Sequence, residues 1–167
     1  MQTARRLLKL RDQAKPVTRV NADEVIAKWE RDAGITLAEA QRQAIYASLE
    51  HGVFVLTGGP GTGKTTVVKG ILNVLEQAGC RILLAAPTGR AARRLADSAG
   101  HPAATVHRLL EYQPTGDGLC FGKDDSDPLD AEAIIIDEAS MLDISLTYHL
   151  LKAIPGGCRL IFVGDVD

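Results

Sequence analysis

The sequence predicts an α/β fold: a parallel sheet with helices on both faces, preceded by a short helical segment. Three observations carry this prediction. Four short segments, VFVLT at 53–57, RILLAA at 81–86, AIIID at 133–137 and RLIFVG at 159–164, are apolar throughout instead of alternating. That pattern belongs to strands buried on both faces of a parallel sheet. Helical periodicity fills most of the chain between them, and a glycine-rich loop, GGPGTGKTT at 58–66, joins the first strand to the first crossover helix.

At the start, Leu7, Leu8 and Leu10 suit a short helix ending before Pro16. Residues 1–20 carry Arg5, Arg6, Lys9, Arg11, Lys15 and Arg19 against Asp12 alone, which suits either contact with nucleic acid or a solvated helix face. A second helix fits 22–32, capped by Asn21, with Val25, Ile26 and Trp29 on one face and Gly34 as its stop. A third begins after Thr36, repeats Leu37, Ala40, Ala44, Ile45 and Leu49 at helical spacing, and stops at Gly52.

The strand at 53–57 is then expected to be fully buried. A helix over 64–77 is apolar nearly all round, and a second crossover helix fits 88–98. Residues 112–130 are a polar Gly/Pro/Asp-rich insertion with room for a small hairpin at TGDG. A last helix near 144–154 separates the final two strands.

Bulk properties exclude several classes. With 167 residues and 46% hydrophobic content the chain can fill the core of one domain, and a net charge of -2 excludes a polycation. Cys80, Cys120 and Cys158 are odd in number and widely spaced, so they support neither a disulfide framework nor a zinc site and are expected as buried small hydrophobes. No apolar run approaches the ~20 residues that span a bilayer, and no signal peptide opens the chain, so a cytoplasmic protein without membrane contact is expected. Residues 111–138 hold nine acids against Lys123, a stretch expected as solvated loop except for Asp137 and Glu138.

Chemistry concentrates at the loop. GGPGTGKTT satisfies GxxxxGK[ST] and lies where a phosphate cradle needs it, after an apolar strand and opening a helix. A plain glycine-rich turn is the alternative. In the P-loop reading, Gly58, Gly59, Pro60, Gly61, Thr62, Gly63, Lys64, Thr65 and Thr66 form a nucleotide site. Its N–H groups and the helix N-terminus face the phosphates, Lys64 reaches the β- and γ-phosphates, and Thr65 offers a hydroxyl to Mg²⁺. An NTPase needs an acid at the end of another buried strand. IIIDEAS supplies Asp137 for the Mg²⁺ shell and Glu138 to polarise the water that attacks the γ-phosphate. The acids otherwise would only cap the following helix. A carboxylate beside the γ-phosphate suits hydrolysis better than transfer to a small acceptor.

Further segments bring a resemblance. APTGRAARRL at 86–95 and TVHRLL at 105–110, taken with the loop and IIIDEASM, resemble the superfamily 1 DNA helicases, most closely the RecD-like ATP-dependent helicases related to the exodeoxyribonuclease V alpha subunit. TLAEAQRQAI resembles the Q motif of that family, and VGD at 163–165 the first part of its motif III. The likeness runs over 33–167, as an incomplete RecA-like motor domain, with 1–32 as a helical segment or linker from an upstream domain.

The resemblance implies an ATP-driven helicase with ATP and Mg²⁺ as cofactors and single-stranded DNA as partner, moving 5′ to 3′. Gln41, with Gln43 as its confusable neighbour, would read the adenine edge. Lys64 and Glu138 would serve catalysis, and Asp165 would belong to γ-phosphate sensing. Pro87, Thr88, Gly89, Arg90, Thr105 and His107 would line the strand track. Arg93 and Arg94 share a turn with Arg90 but are expected on a solvated face. The family pattern also implies a second RecA-like domain, which supplies an arginine finger, and a cut within motif III at Asp167. The 167 residues are therefore expected to bind ATP weakly and turn it over poorly. A stand-alone P-loop NTPase switch that does not act on DNA is the alternative. The family's strand order would put 159–164 between the other two site strands and leave 53–57 on an open apolar edge.

Overall fold

The structure is a computed structural model that describes residues 2–59, 63–116 and 118–165. Pro60, Gly61 and Thr62 of the predicted loop lie outside the described residues. Three helices come first: α1 (Gln2–Gln13), α2 (Ala22–Ala33) and α3 (Glu39–Glu50). The sheet follows, with β1 (Val53–Thr57), α4 (Lys64–Gln77), β2 (Ile82–Ala86), α5 (Gly89–Ala99), β3 (Ala103–Thr105) and a one-turn helix α6 (Val106–Leu109). A hairpin of β4 (Tyr112–Thr115) and β5 (Gly118–Phe121) precedes β6 (Ala133–Ile136), a 3₁₀ turn Ala139–Met141, α7 (Ile144–Ala153) and β7 (Arg159–Gly164).

Five strands form one parallel sheet in the order β1-β7-β6-β2-β3. The strand at 159–164 therefore lies between those at 53–57 and 133–136, as expected. Period-two alternation feeds two cores from the same apolar runs. Ile135, Ile161 and Val163 join Ile26, Ile45, Val68 and Ile71 from α2, α3 and α4 on one face. Ile134, Ile136 and Leu160 join Leu10, Leu146 and Leu150 from α1 and α7 on the other. Ile134, Ile135 and Ile136 are completely buried, and each contributes roughly 1.5–3 kcal/mol of apolar transfer.

Local signals place the helices that carry the sheet. Asn21 accepts from the Glu24 N–H at 3.3 Å to start α2, Gly34 ends it in the left-handed region at φ +67°, and the Asp143 carboxylate accepts from the Leu146 N–H at 2.6 Å to start α7. Gly70, inside α4, is a contact residue: a Cβ there would come within 2.4 Å of Ile45 Cδ1 and 3.1 Å of the Trp29 ring. Its missing side chain lets α4 lie close against α2 and α3, which fixes the start of α4 beside α3.

Several expectations need correction. β1 is not fully buried: it is an edge strand with β7 on one side only, and while Leu56 is buried on one face, Val55 on the opposite face is 58% exposed. β3 and α6 were not predicted, and β3 is held by pairing Ala103–Thr105 with Leu84–Ala86. Cys158 is buried, and burial pushes its thiol up to about 12, whereas Cys80 is half-buried and Cys120 is exposed on the hairpin. The hairpin itself is as expected, with Thr115 opposite Gly118. Among the described residues no helix is long and apolar enough to cross a membrane, and no group of three or more His, Cys, Asp or Glu could hold a metal.

Candidate functional site

All five strands are parallel, so their carboxyl ends form a single rim, the usual place for ligands in open α/β sheets. The register pairs Thr57 with Gly164 and Ile136 with Phe162. Gly58 and Gly59 after β1, Asp165 after β7, and Asp137 and Glu138 after β6 thus leave the sheet side by side. Lys64, the first residue of α4, ties them together: its Nζ donates to the Gly58 carbonyl at 2.9 Å and the Gly164 carbonyl at 3.4 Å, and it pairs with the Asp165 carboxylate.

The donor set fits a Mg²⁺-phosphate group. α4 runs for 14 residues with no capping side chain and no acid in its first turn, which leaves its N-terminal N–H groups and positive end directed at the loop. Thr65 is exposed there. One Asp137 oxygen accepts from the Glu138 N–H at 2.9 Å, while the Asp137 N–H donates to the Ala85 carbonyl at 2.9 Å, so the carboxylate is held in place with lone pairs to spare. A hydroxyl and a carboxylate are hard oxygen donors of the kind Mg²⁺ prefers.

Glu138 turns the chain out of β6 in the left-handed region at φ +53°. For a non-glycine residue that conformation costs of order 1–3 kcal/mol, and such strain concentrates at functional positions. Lys64, Thr65, Asp137, Glu138 and Val163 line one cleft of about 600 Å³. Arg94 lines the same cleft, with Nη2 3.6 Å from a Glu138 carboxylate oxygen.

Gln41 stands at the loop's other end. Its Oε1 accepts from the Ala38 N–H at 2.9 Å and its Nε2 donates to the Gly63 carbonyl at 3.5 Å, whereas Gln43 turns to Glu39 on the helix surface. Gly63 is required here twice over, by its φ of +81° and because a Cβ would lie 2.3 Å from Gln41 Nε2. Each amide atom of Gln41 keeps one unused hydrogen-bonding position.

The remaining predicted residues lie further along the rim, after β2 and β3. Thr88 caps α5 by accepting from the Ala91 N–H at 3.2 Å, and Thr105 caps α6 by accepting from the Arg108 N–H at 3.1 Å. Because Ala86 pairs with Thr105, Pro87, Thr88, Gly89 and Arg90 sit next to the Thr105 junction. Both hydroxyls act as acceptors in their caps, which leaves their protons to donate. Arg90 and His107 are exposed, and the His107 ring also meets Tyr112 edge-on at 5.4 Å, so it anchors the hairpin. Arg94 is exposed, as expected of a solvated face, but it also lines the cleft and reaches Glu138, which the sequence did not show. Its spacing from Arg90 gave a shared stripe on the helix, but not the strand end which that stripe meets.

The family comparisons concern the same residues. Residues 41–167 match the family described as AAA domain. An ATP-dependent RecD2 DNA helicase of Deinococcus radiodurans is 44% identical over 131 residues, which cover 78% of this chain and 18% of that protein. The RecBCD enzyme subunit RecD of Mycobacterium tuberculosis is 42% identical over 152 residues, covering 77% and 26%. A solved Pif1 helicase from Bacteroides, in complex with ADP-AlF3 and ssDNA, matches with a TM-score of 0.53 at 27% identity, over 79% of this chain and 33% of that one. The chain thus spans 18% and 26% of the length of these two curated relatives. Matched across 41–167, and 44% and 42% identical to RecD-type proteins over most of its length, the chain belongs to the family described as AAA domain.

Proposed function

We propose that these residues are the nucleotide-binding first motor domain of an ATP-dependent DNA helicase, which hydrolyses ATP to move along single-stranded DNA and unwind duplex. One observation carries this: Lys64, Thr65, Asp137 and Glu138 line a single cleft, while Thr88 and Arg90 stand on the same sheet rim after β2, the strand next to β6. A nucleotide switch needs the first group and has no use for the second.

ATP enters along the loop and the start of α4. Its phosphates take the loop N–H groups, and Lys64 exchanges the Gly58 carbonyl and Asp165 for phosphate oxygens. The Thr65 hydroxyl and the Asp137 carboxylate would hold Mg²⁺, which would supply charge to neutralise the phosphates. Glu138 orients a water and takes its proton as the water oxygen bonds to the γ-phosphorus and the bond to ADP breaks. Asp165, beside Lys64, registers whether the γ-phosphate is present. Gln41 has one amide donor and one acceptor position left for the adenine edge. Thr88, Arg90, Thr105 and His107, with the backbone of Pro87 and Gly89, carry the strand's phosphates.

The partner implied for ATP turnover is a second RecA-like domain. An arginine finger supplied from such a partner is worth roughly 10³–10⁵ in rate, so turnover should depend on that partner domain.

Titration of the chain with a fluorescent Mg·ATP analogue and with labelled oligothymidylate tests this. Lys64→Ala should weaken nucleotide binding about tenfold or more by removing a charge-assisted phosphate contact, and Arg90→Glu should weaken DNA binding with nucleotide affinity intact. In a complete two-domain protein, Glu138→Gln should cut turnover roughly 10²–10⁴-fold with nucleotide still bound. Nucleotide binding indifferent to Lys64→Ala would refute the ATP site. DNA affinity unmoved by Arg90→Glu would leave a stand-alone P-loop switch.

A further inference from the structure

Arg94 belongs to neither half of the machinery as the motifs divide it, yet it reaches from one to the other. It sits on α5, an 11-residue helix whose cap and first turn, Thr88 to Arg90, form the proposed strand contact. One turn later, at the i+4 position from Arg90, its guanidinium lies 3.6 Å from the Glu138 carboxylate. Glu138 is its one ion-pair partner among the described residues, and its side chain is otherwise 69% exposed. Glu138 leaves β6 from a left-handed backbone position, so the backbone fixes where its side chain starts and only side-chain rotation is left to aim the carboxylate. The nearest cation on α5 acts on that rotation. The first half of α5 rests on the sheet through Ala91 and Ala92 against Ala86, and Leu95, next to Arg94, is buried in the main core, so a displacement at the start of α5 carries through packed contacts to Arg94.

We propose that Arg94 is a positioning residue that holds the Glu138 carboxylate toward α5 when the strand track is empty. DNA bound at the start of α5 moves the helix and withdraws that hold, so that strand binding licenses hydrolysis. This rests on the helicase function proposed above, and it assigns the link between the two sites to one helix and one ion pair. A ligand shifts such an equilibrium only through its different affinity for the two states. Here the difference lies in where the first turn of α5 meets phosphate.

Steady-state ATP turnover of the complete two-domain protein, with and without oligothymidylate, tests the assignment with Arg94→Ala and Arg94→Lys. Arg94→Ala should raise the DNA-free kcat about threefold, the scale an ion pair this exposed can support. The DNA-saturated rate should move less, the stimulation ratio should fall, and KM for ATP should stay put. Arg94→Lys, which keeps the charge, should restore most of the ratio. A fall in both rates by one factor, an unchanged ratio, or a rise in KM alone would overturn the proposal, the last by assigning Arg94 to the nucleotide. If wild-type turnover ignores DNA, the helicase function itself fails and the coupling with it. If wild type responds to DNA and Arg94→Ala responds equally, only the coupling fails.

Discussion

Arg159 shows how a single side chain can hold three segments. It opens β7 and is 4% exposed, yet it meets no carboxylate among the described residues. Its guanidinium donates to the Ser48 carbonyl at 3.1 Å, to the His51 carbonyl, and to the Lys15 carbonyl at 2.6 Å. The first two belong to the end of α3, where carbonyls lack helical partners and the helix end is negative, so the charge finds compensation in dipoles. Burial holds its pKa below the usual arginine value. Arg159→Met keeps the apolar stem and leaves these carbonyls without donors, and should cost roughly 3 kcal/mol in urea unfolding. A loss within the ±0.5 kcal/mol or so of an ordinary surface change would mean that water replaces the guanidinium. Neither this role nor the one proposed for Arg94 was legible in the sequence, because both depend on which distant backbone or strand end the side chain meets. Lys64, Thr65, Asp137 and Glu138 were legible because a strand end and a loop-to-helix junction set their chemistry locally.

Between elements, carboxylates fasten the helices to the sheet's flank. Glu30 of α2 accepts from the Leu37 N–H at 3.1 Å and from Arg42 of α3 at 2.8 Å, and these bonds, the Leu37 one first, hold its pKa below the usual carboxylate value. Asp125 is likewise lowered, chiefly by its bonds from Arg6 of α1, and Asp124 by Ser126. The sign follows from linkage. A group whose folded pKa lies below its unfolded value stabilises fully above the unfolded value, about 4, and loses that contribution as pH falls through the folded one. The corner between α2 and α3 and the docking of α1 on the 124–127 turn should therefore be insensitive to pH near neutrality and loosen in acid before the sheet does. Amide exchange in α2 and α3, followed downward from neutral pH, should show this step, and Glu30→Gln should remove it from the corner. An identical acid profile in Glu30→Gln would overturn the assignment. The long helices were legible from caps and periodicity. β3 and α6, three and four residues long, were not: β3 exists by pairing with β2, and α6 by the Thr105 cap, and neither offers enough sequence to set a period.

At the scale of the molecule, strand order decides both function and liability. Apolar runs announce parallel strands without saying which lie side by side; the place of β7 between β1 and β6, with β1 outermost, was legible only through the family resemblance, and the β6-β2-β3 side of the order β1-β7-β6-β2-β3 was not legible. That order lines the rim up from the glycine-rich loop through Asp165, Asp137 and Glu138 to Thr88 and Thr105, so that one sheet spaces the two proposed sites. It also leaves β1 on the outside. Val55 is 58% exposed there, and it borders a hollow shared with Thr57, Leu142 and Phe162. An unpaired apolar edge is a template for another chain's strand. The 167 residues should accordingly self-associate with rising concentration. A charge at the exposed position works against edge pairing while touching nothing in the core, so Val55→Lys should suppress association in light scattering and leave unfolding stability within about 0.5 kcal/mol. Undiminished association in Val55→Lys would show that the molecules meet elsewhere, and a large stability loss would show that Val55 is part of the fold's packing.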